Sequence, residues 1–223
     1  DLKRNLTTAL HLKGSMFGII HQFDSSLYYY QQSLELAKEI GKIESQCLNL
    51  LDIGRIFIRI NKYPDALEYL NRALSIADEY DLLLKKQIIY SYLGIYYNAT
   101  SDDPKAIEYF KKSIDLIEEV RSGLSIETQQ IGFLKSRLDS YRRLIKILIF
   151  SKQYEEAFKY MEKMKARALL DILEGGKVDF KQTAKQIANE SITVVKDKNG
   201  LLPLKAEKID SLAHIILSLD DHA

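Results

Sequence analysis

The chain repeats itself every forty residues, and that interval restricts its fold more than any other feature of the sequence. Gly14, Gly54 and Gly94 fall at this spacing, as do Phe17, Phe57 and Tyr97, three residues after each glycine. Twelve residues after each glycine stand Ser26, Ala66 and Ala106. Then come Tyr29, Tyr69 and Tyr109, and after them Leu34, Leu74 and Ile114. Pro64 and Pro104 keep the register, with Asp24 in the equivalent place, and KYPDALEYLNRAL and DDPKAIEYFKKSI are copies of one unit. A unit of this size cannot bury its apolar face alone, so neighbouring copies must stack.

Each recurring residue type suits a helical hairpin. The glycine and the small residue twelve positions later present no bulk, so two antiparallel helices can approach there while the aromatics fill the space on either side. Proline at a helix start loses nothing, because the first amide has no intrahelical partner. A less regular fourth copy, YRRLIKILIFSKQYEEAFKYMEKM, keeps Tyr154, Ala157 and Tyr160 but has Ile145 where the glycine would be. Ten glycines and three prolines are few for 223 residues and favour long helices over sheet and turn.

The pattern predicts helix pairs at about 4–21 with 24–41, 44–60 with 64–80, 84–99 with 103–121, and 126–151 with 154–174. Gly175-Gly176 is expected to end the last helix. Beyond it, 180–190 reads as a short helix, and ESITVVKDKNGLLPLKA as a hairpin. In that hairpin Ile192, Val194 and Val195 face Leu202 and Leu204 across an Asn-Gly turn. Residues 207–219 have apolar positions at helical spacing. The expected fold is all-α, about four helix-turn-helix units over 1–174, with a small mixed α/β element over 175–223.

With the glycine as eighth position, an aromatic as eleventh and the small residue as twentieth, the unit resembles the tetratricopeptide repeat over roughly residues 6–165. The resemblance implies a right-handed superhelical array that holds a protein or peptide partner. The usual period is about 34, so this is the longer variant, with the extra residues in the second helix and its connection. HEAT-type repeats also approach 40 but lack the paired small-residue pattern.

A second resemblance begins at the end of the array. EEAFKYMEKMKARALLDIL, residues 155–173, is similar to the join between repeats and protease in bacterial CHAT proteins, which are caspase- and separase-related cysteine peptidases. The residues that carry it are Lys165, Ala166, Arg167, Ala168, Leu169, Leu170 and Asp171. A turn such as KDKNG between strands, then a helix, suits the opening of that peptidase domain, so 175–223 is expected to be its start. The family's catalysis needs a histidine and a cysteine farther on, paired so that the imidazole activates the thiolate. No catalytic residue of the family falls on this chain. The Asp start and the abrupt end at Asp220-Asp221-His222-Ala223 predict a piece of a larger protein.

The remaining chemistry is sparse. Lys and Arg number 32 against 31 Asp and Glu, so no basic field exists to draw nucleic acid. A single cysteine, Cys47, excludes an internal disulfide and suits a reducing, cytoplasmic compartment. No apolar run approaches the roughly 20 residues of a membrane span. His11, His21, His214 and His222 contain no i, i+4 pair for a metal, and no cofactor or metal is expected. Cys47 is expected to pack as a small hydrophobe. Asp102-Asp103 and Glu155-Glu156 precede or open helices, where negative charge complements the dipole.

Function is therefore expected on the helix face left free by the repeat contacts. In each first helix, positions two, five, six, nine, twelve and thirteen lie opposite the partner helix, on what is the concave wall of a repeat array. These hold Thr8, His11 and Ser15; Asp52, Arg55 and Arg59; Ser91, Tyr92 and Asn98; and Asp139, Arg142, Arg143 and Lys146. From these, Arg55, Arg59, Tyr92, Asn98, Arg142, Arg143 and Lys146 are the expected partner-binding residues. The wall becomes basic toward the fourth unit, which suits an acidic peptide or a chain carboxylate. Three functional classes remain: a docking portion of a CHAT-type peptidase, a peptide receptor controlling a separate protein, and the enzyme itself.

Overall fold

The computed structural model describes residues 2–123 and 130–175, with the side chains of 2–119 and 138–166. Every described element is a helix: α1 (Leu2–Ile19), α2 (Phe23–Glu39), α3 (Ile43–Arg59), α4 (Tyr63–Glu79), α5 (Leu83–Ala99), α6 (Asp103–Gly123), α7 (Gln130–Phe150) and α8 (Tyr154–Gly175). The predicted helix bounds agree within two residues where the described residues reach them, and the predicted start of α7 at 126 lies outside the described residues. Two compact units divide them, α1–α6 within residues 1–125 and α7–α8 within 126–223. The predicted short helix at 180–190, the hairpin and the helix at 207–219 lie outside the described residues.

The forty-residue period proves to be two beats of twenty. Helices α2 to α5 each contain 17 residues, and three-residue turns join them. Each turn holds one residue with positive φ: His21 (62°), Gly41 (65°), Asn61 (60°), Asp81 (51°), Ser101 (61°) and, between α7 and α8, Lys152 (59°). The residue after it donates its amide five residues back, as in Gln22 to Phe17 (2.9 Å), Lys42 to Ala37 (2.8 Å), Asp102 to Tyr97 (2.8 Å) and Gln153 to Leu148 (2.8 Å). This is the Schellman closure, which satisfies carbonyls that a helix end leaves orphaned. The same residue's carbonyl then accepts the first bond of the next helix, as Lys62 does from Ala66 (3.0 Å).

Only one of these six positions carries the residue best suited to it. Left-handed backbone costs a side chain roughly 1–2 kcal/mol, and Asn and Asp tolerate it better than Lys. Lys152→Gly should therefore stabilise the protein by about 0.5–1 kcal/mol. Gly41→Ala should cost about 1 kcal/mol, although nothing lies within 4 Å of the added carbon. Thermal unfolding of the two variants, shifted in opposite directions, checks this reading of the turns.

Within the first unit, Tyr30, Leu34, Leu50, Ile53, Ile56, Leu70, Ile89 and Leu93 form one buried cluster. The glycines make room for it in a way that differs from the expected glycine-to-small-residue contact. A Cβ on Gly14 would lie 2.8 Å from the Tyr30 ring, one on Gly54 2.9 Å from Leu70, and one on Gly94 2.8 Å from Phe110. The glycine thus receives the large side chain sixteen residues on. The small residue at twelve has a secondary part: the Ala66 carbonyl lies 3.3 Å from a Gly54 Cβ, and Ser26 Oγ donates to the Gly14 carbonyl at 2.8 Å. In the second unit Ile145 and Ala157 are both buried, and the Tyr141 and Tyr160 rings lie 6.3 Å apart.

Candidate partner-binding surface

The free face of the first helices is built differently in each repeat. Around α3, three helices contribute to one connected polar network. His11 of α1 faces two acceptors, Asn49 Oδ1 at 3.1 Å and Asp52 Oδ2 at 3.5 Å. Asn49 Nδ2 donates to Ser33 Oγ of α2 at 2.9 Å and to the Ser45 carbonyl at 2.8 Å, and Ser33 Oγ donates to the Thr7 carbonyl at 2.9 Å. Arg55 donates to the Tyr30 hydroxyl at 3.3 Å and pairs with Asp52 Oδ1 at 3.1 Å.

Burial governs the electrostatics here. Asp52 is buried, and desolvation raises its carboxyl pKa although Arg55, His11 and Lys85 pull it down. Burial also opposes the Arg55 charge, but Asp52 and the hydroxyls of Tyr92 and Tyr30 outweigh it and hold the guanidinium above its ordinary value. Asp52, expected on the wall, is thus the anionic floor beneath Arg55. Tyr92 is half-buried on α5 and hydrogen-bonds Arg55.

Arg59 is exposed yet well anchored. One guanidinium nitrogen donates to the Gly18 carbonyl at 2.9 Å and another meets His21 Nδ1 at 3.3 Å, while the group lies 4.9 Å over the Phe23 ring. Asn98 is exposed and donates to Asp103 Oδ1 at 3.3 Å. The α1 members are varied: Thr8 is exposed and Ser15 half-buried.

Arg142, Arg143 and Lys146 belong to the second unit, on α7. Arg143 is exposed and donates from Nε to Asp139 at 2.8 Å, and Lys146 reaches over the Phe150 ring at 6.0 Å. Arg142 is half-buried. The structure therefore groups Arg55, Arg59 and Tyr92 in one unit and the three α7 cations in the other, with a carboxylate against Arg55 and another against Arg143.

Sequence reasoning missed Tyr30, Asn49 and Ser33, which sit on or across from the second helix. The available signal was a tyrosine at the glycine-facing position where the other repeats have Leu70 and Phe110. Its hydroxyl needs a partner once buried.

Outside this surface the residues are structural. Asp102 Oδ1 accepts the Lys105 amide at 3.2 Å, a helix cap. A side-chain bond from Lys105 is the main cause that lowers its carboxyl pKa. Cys47 is fully buried, its thiol donates to the Ala73 carbonyl at 3.5 Å, and burial pushes its pKa up to about 11. So weakly acidic a thiol is a poor nucleophile. Cys47 should resist maleimide labelling in the folded protein and react only after denaturation, and Cys47→Ser should leave partner binding unchanged. Among the described residues, no cluster of three metal-ligating side chains exists and no helix is long and apolar enough to cross a membrane.

The family model for the Tetratricopeptide repeat matches residues 5–79, the first two hairpins. No curated protein sequence matches the chain. Among solved structures, aspartyl phosphate phosphatase F from Bacillus subtilis superposes with a TM-score of 0.69 at 17% identity, over 100% of this chain and 51% of that one. The kinesin light chain-like repeats from Podosopora anserina superpose at 0.63 and 14%, over 99% of both chains. The Rap conjugation gene regulator of plasmid pLS20, solved with the Phr* peptide, superposes at 0.60 and 16%, over 98% and 63%. The chain spans 54% of RapI and 66% of BtubC from P. vanneervenii, other structures that it matches. Residues 5–79 thus match the Tetratricopeptide repeat by sequence, and the described helices share the fold of TPR-like repeat structures.

Proposed function

We propose that the chain is a protein- or peptide-binding array and that its partner is an acidic segment. The observation that carries this is the wall of α3 and α5. There Arg55, Arg59 and Tyr92 stand on the face that the hairpin contacts leave free, each oriented by buried or backbone partners. Anchored guanidinium groups bind carboxylates well because little ordering remains to be done. Asn98 on α5 supplies a further polar contact there, and within the second unit Arg142, Arg143 and Lys146 on α7 form a patch of their own. The Asp52 and Asp139 carboxylates beside Arg55 and Arg143 temper the charge, so the surface orients an acidic partner more than it attracts one.

In the wider protein the array is the sensing or docking portion of a CHAT-type cysteine peptidase. The resemblance at Lys165–Asp171 supports this, and 175–223 is then the opening of the peptidase domain. The second reading is a peptide receptor that controls a separate effector, which the likeness to the Rap regulator solved with its Phr* peptide supports. A histidine and a cysteine in the reading frame beyond residue 223 distinguish the first reading from the second.

The binding claim is tested with an immobilised array and a library of acidic and neutral peptides. Retained peptides should be acidic, should be lost as salt shortens screening to below about 8 Å, and should not bind Arg59→Glu, an exposed position whose reversal leaves helix content unchanged. Peptides that bind the reversed variant equally well at low and high salt would rule the basic surface out.

A further inference from the structure

The polar network around α3 occupies positions that the fold fills with apolar residues elsewhere. In the forty-residue register His11 corresponds to Leu51, Asn49 to Ile89, and Tyr30 to Leu70 and Phe110, all of them buried. Hairpin packing therefore does not require His11, Asn49 or Tyr30. Buried polar groups are costly unless their hydrogen bonds are met, so the donors and acceptors here must balance.

The heavy atoms fix where the hydrogens of this network sit. Asn49 Nδ2 lies 2.8 Å from the Ser45 carbonyl and 2.9 Å from Ser33 Oγ. A carbonyl can only accept, so the amide nitrogen belongs there, and Asn49 Oδ1 is the atom 3.1 Å from His11 Nδ1. That oxygen also can only accept, so His11 Nδ1 carries a hydrogen and donates it. A neutral imidazole with its hydrogen on Nδ1 presents a lone pair at Nε2. The lone pair would face Asp52 Oδ2 at 3.5 Å, while Asp52 Oδ1 is paired with Arg55 at 3.1 Å. Two acceptors would then confront each other where the His11 side chain is 19% exposed and that of Asp52 9%. One further proton, on Nε2 or on Oδ2, turns this conflict into a hydrogen bond.

The groups that bear on this pair come from three other sources. Tyr30 of α2 sets its ring 5.3 Å from the imidazole, and burial and the Asp52 charge hold its phenol neutral. Arg55 lies beside Asp52 on α3 itself. From α5, the Lys85 charge acts on Asp52, and the Tyr92 hydroxyl meets Arg55. Wherever the proton sits, His11, Asp52 and Arg55 together carry one net positive charge with it and none without it.

We infer that His11 and Asp52 form a proton-binding site, with one proton held between Nε2 and Oδ2, and that this proton gives the Arg55 face its net positive charge. Its effect on an acidic partner rests on the function proposed above: such a partner binds more tightly while the proton is held.

NMR of the His11 imidazole nitrogens and of the Asp52 carboxyl carbon in the 1–223 chain reads the site without any partner, with His11 assigned through His11→Gln. At about pH 6.5, Nδ1 should carry a proton, and a second proton should be found on Nε2 or on the Asp52 carboxyl. In Asp52→Asn, whose amide supplies its own N–H, Nε2 should be a bare acceptor at the same pH. A bare Nδ1, or a bare Nε2 opposite an ionised Asp52, overturns the inference. An acetylated hexaglutamate peptide, titrated by fluorescence anisotropy, then reads the coupling. Its affinity ratio between about pH 6 and about pH 8 should be about 3-fold or more larger for the parent than for Asp52→Asn. Equal ratios overturn the coupling. No binding of the peptide at either pH counts against the acidic-partner reading alone, and the NMR result still decides the proton site.

Discussion

Gly94→Leu should destabilise the protein by about 3 kcal/mol, and Phe110→Ala should give back a large part of that loss. The Cβ of any residue at 94 would lie 2.8 Å from two ring carbons of Phe110, which is almost wholly buried. The ring is rigid and enclosed, so the added bulk forces a shift of the helix pair; overpacking of this kind costs about 1–3 kcal/mol and occasionally more. Better helix propensity returns less than about 1 kcal/mol. Phe110→Ala alone should cost about 3–5 kcal/mol by opening a cavity. In the double variant the leucine occupies part of that cavity, so the two losses should fall short of additivity by about 2 kcal/mol. Urea unfolding of the four proteins measures the coupling. Simple additivity would mean that glycine 94 does not receive the Phe110 ring.

The second large effect concerns the buried carboxylate. Asp52→Ala should cost about 3 kcal/mol, because it leaves His11 and the largely buried Arg55 without their shared acceptor. Asp52→Asn should cost about 1 kcal/mol or less, since the amide retains an oxygen for Arg55 and offers an N–H to His11. The pH dependence has a definite sign. Burial raises the Asp52 carboxyl above its unfolded value of about 3.9, so the folded chain binds that proton more tightly than the unfolded chain. The stability linked to this proton is fully present below about pH 3.9 and is lost as pH rises through the folded value. Parent stability relative to Asp52→Asn should therefore grow as pH falls from neutral toward 4. A difference that shrinks over that range would mean the ion pairs dominate burial at this site.

How far the sequence revealed these features depends on whether one residue or several carry the signal. The hairpins were legible because glycine, aromatic and small residues each mark a fixed position and recur at forty. The twenty-residue beat was hidden. The left-handed turn position holds His21, Gly41, Asn61, Asp81, Ser101 and Lys152, and no shared chemistry advertises a shared backbone. The glycine's packing partner was misassigned for a related reason: Tyr30, Leu70 and Phe110 have only size in common, whereas the small residues at twelve look alike. At the surface, helical spacing brought out Arg55, Arg59 and Tyr92 together. It gave no sign that Asp52 would lie buried beneath them, because that follows from Tyr30 and His11 arriving from two other helices.

The uniform turns also bear on how the chain reaches this fold. Among the described side-chain hydrogen bonds of the first unit, the widest sequence separation is 41 residues, from Arg59 to Gly18. Closing a loop costs entropy that grows with its length, and chains dominated by near-neighbour contacts fold quickly. Each hairpin can therefore pack once its neighbour has also left the ribosome, using contacts no more than about one repeat apart. A nascent array would gain its packed surface in instalments, one hairpin after another, and would never need the far end of the chain to fold the near one.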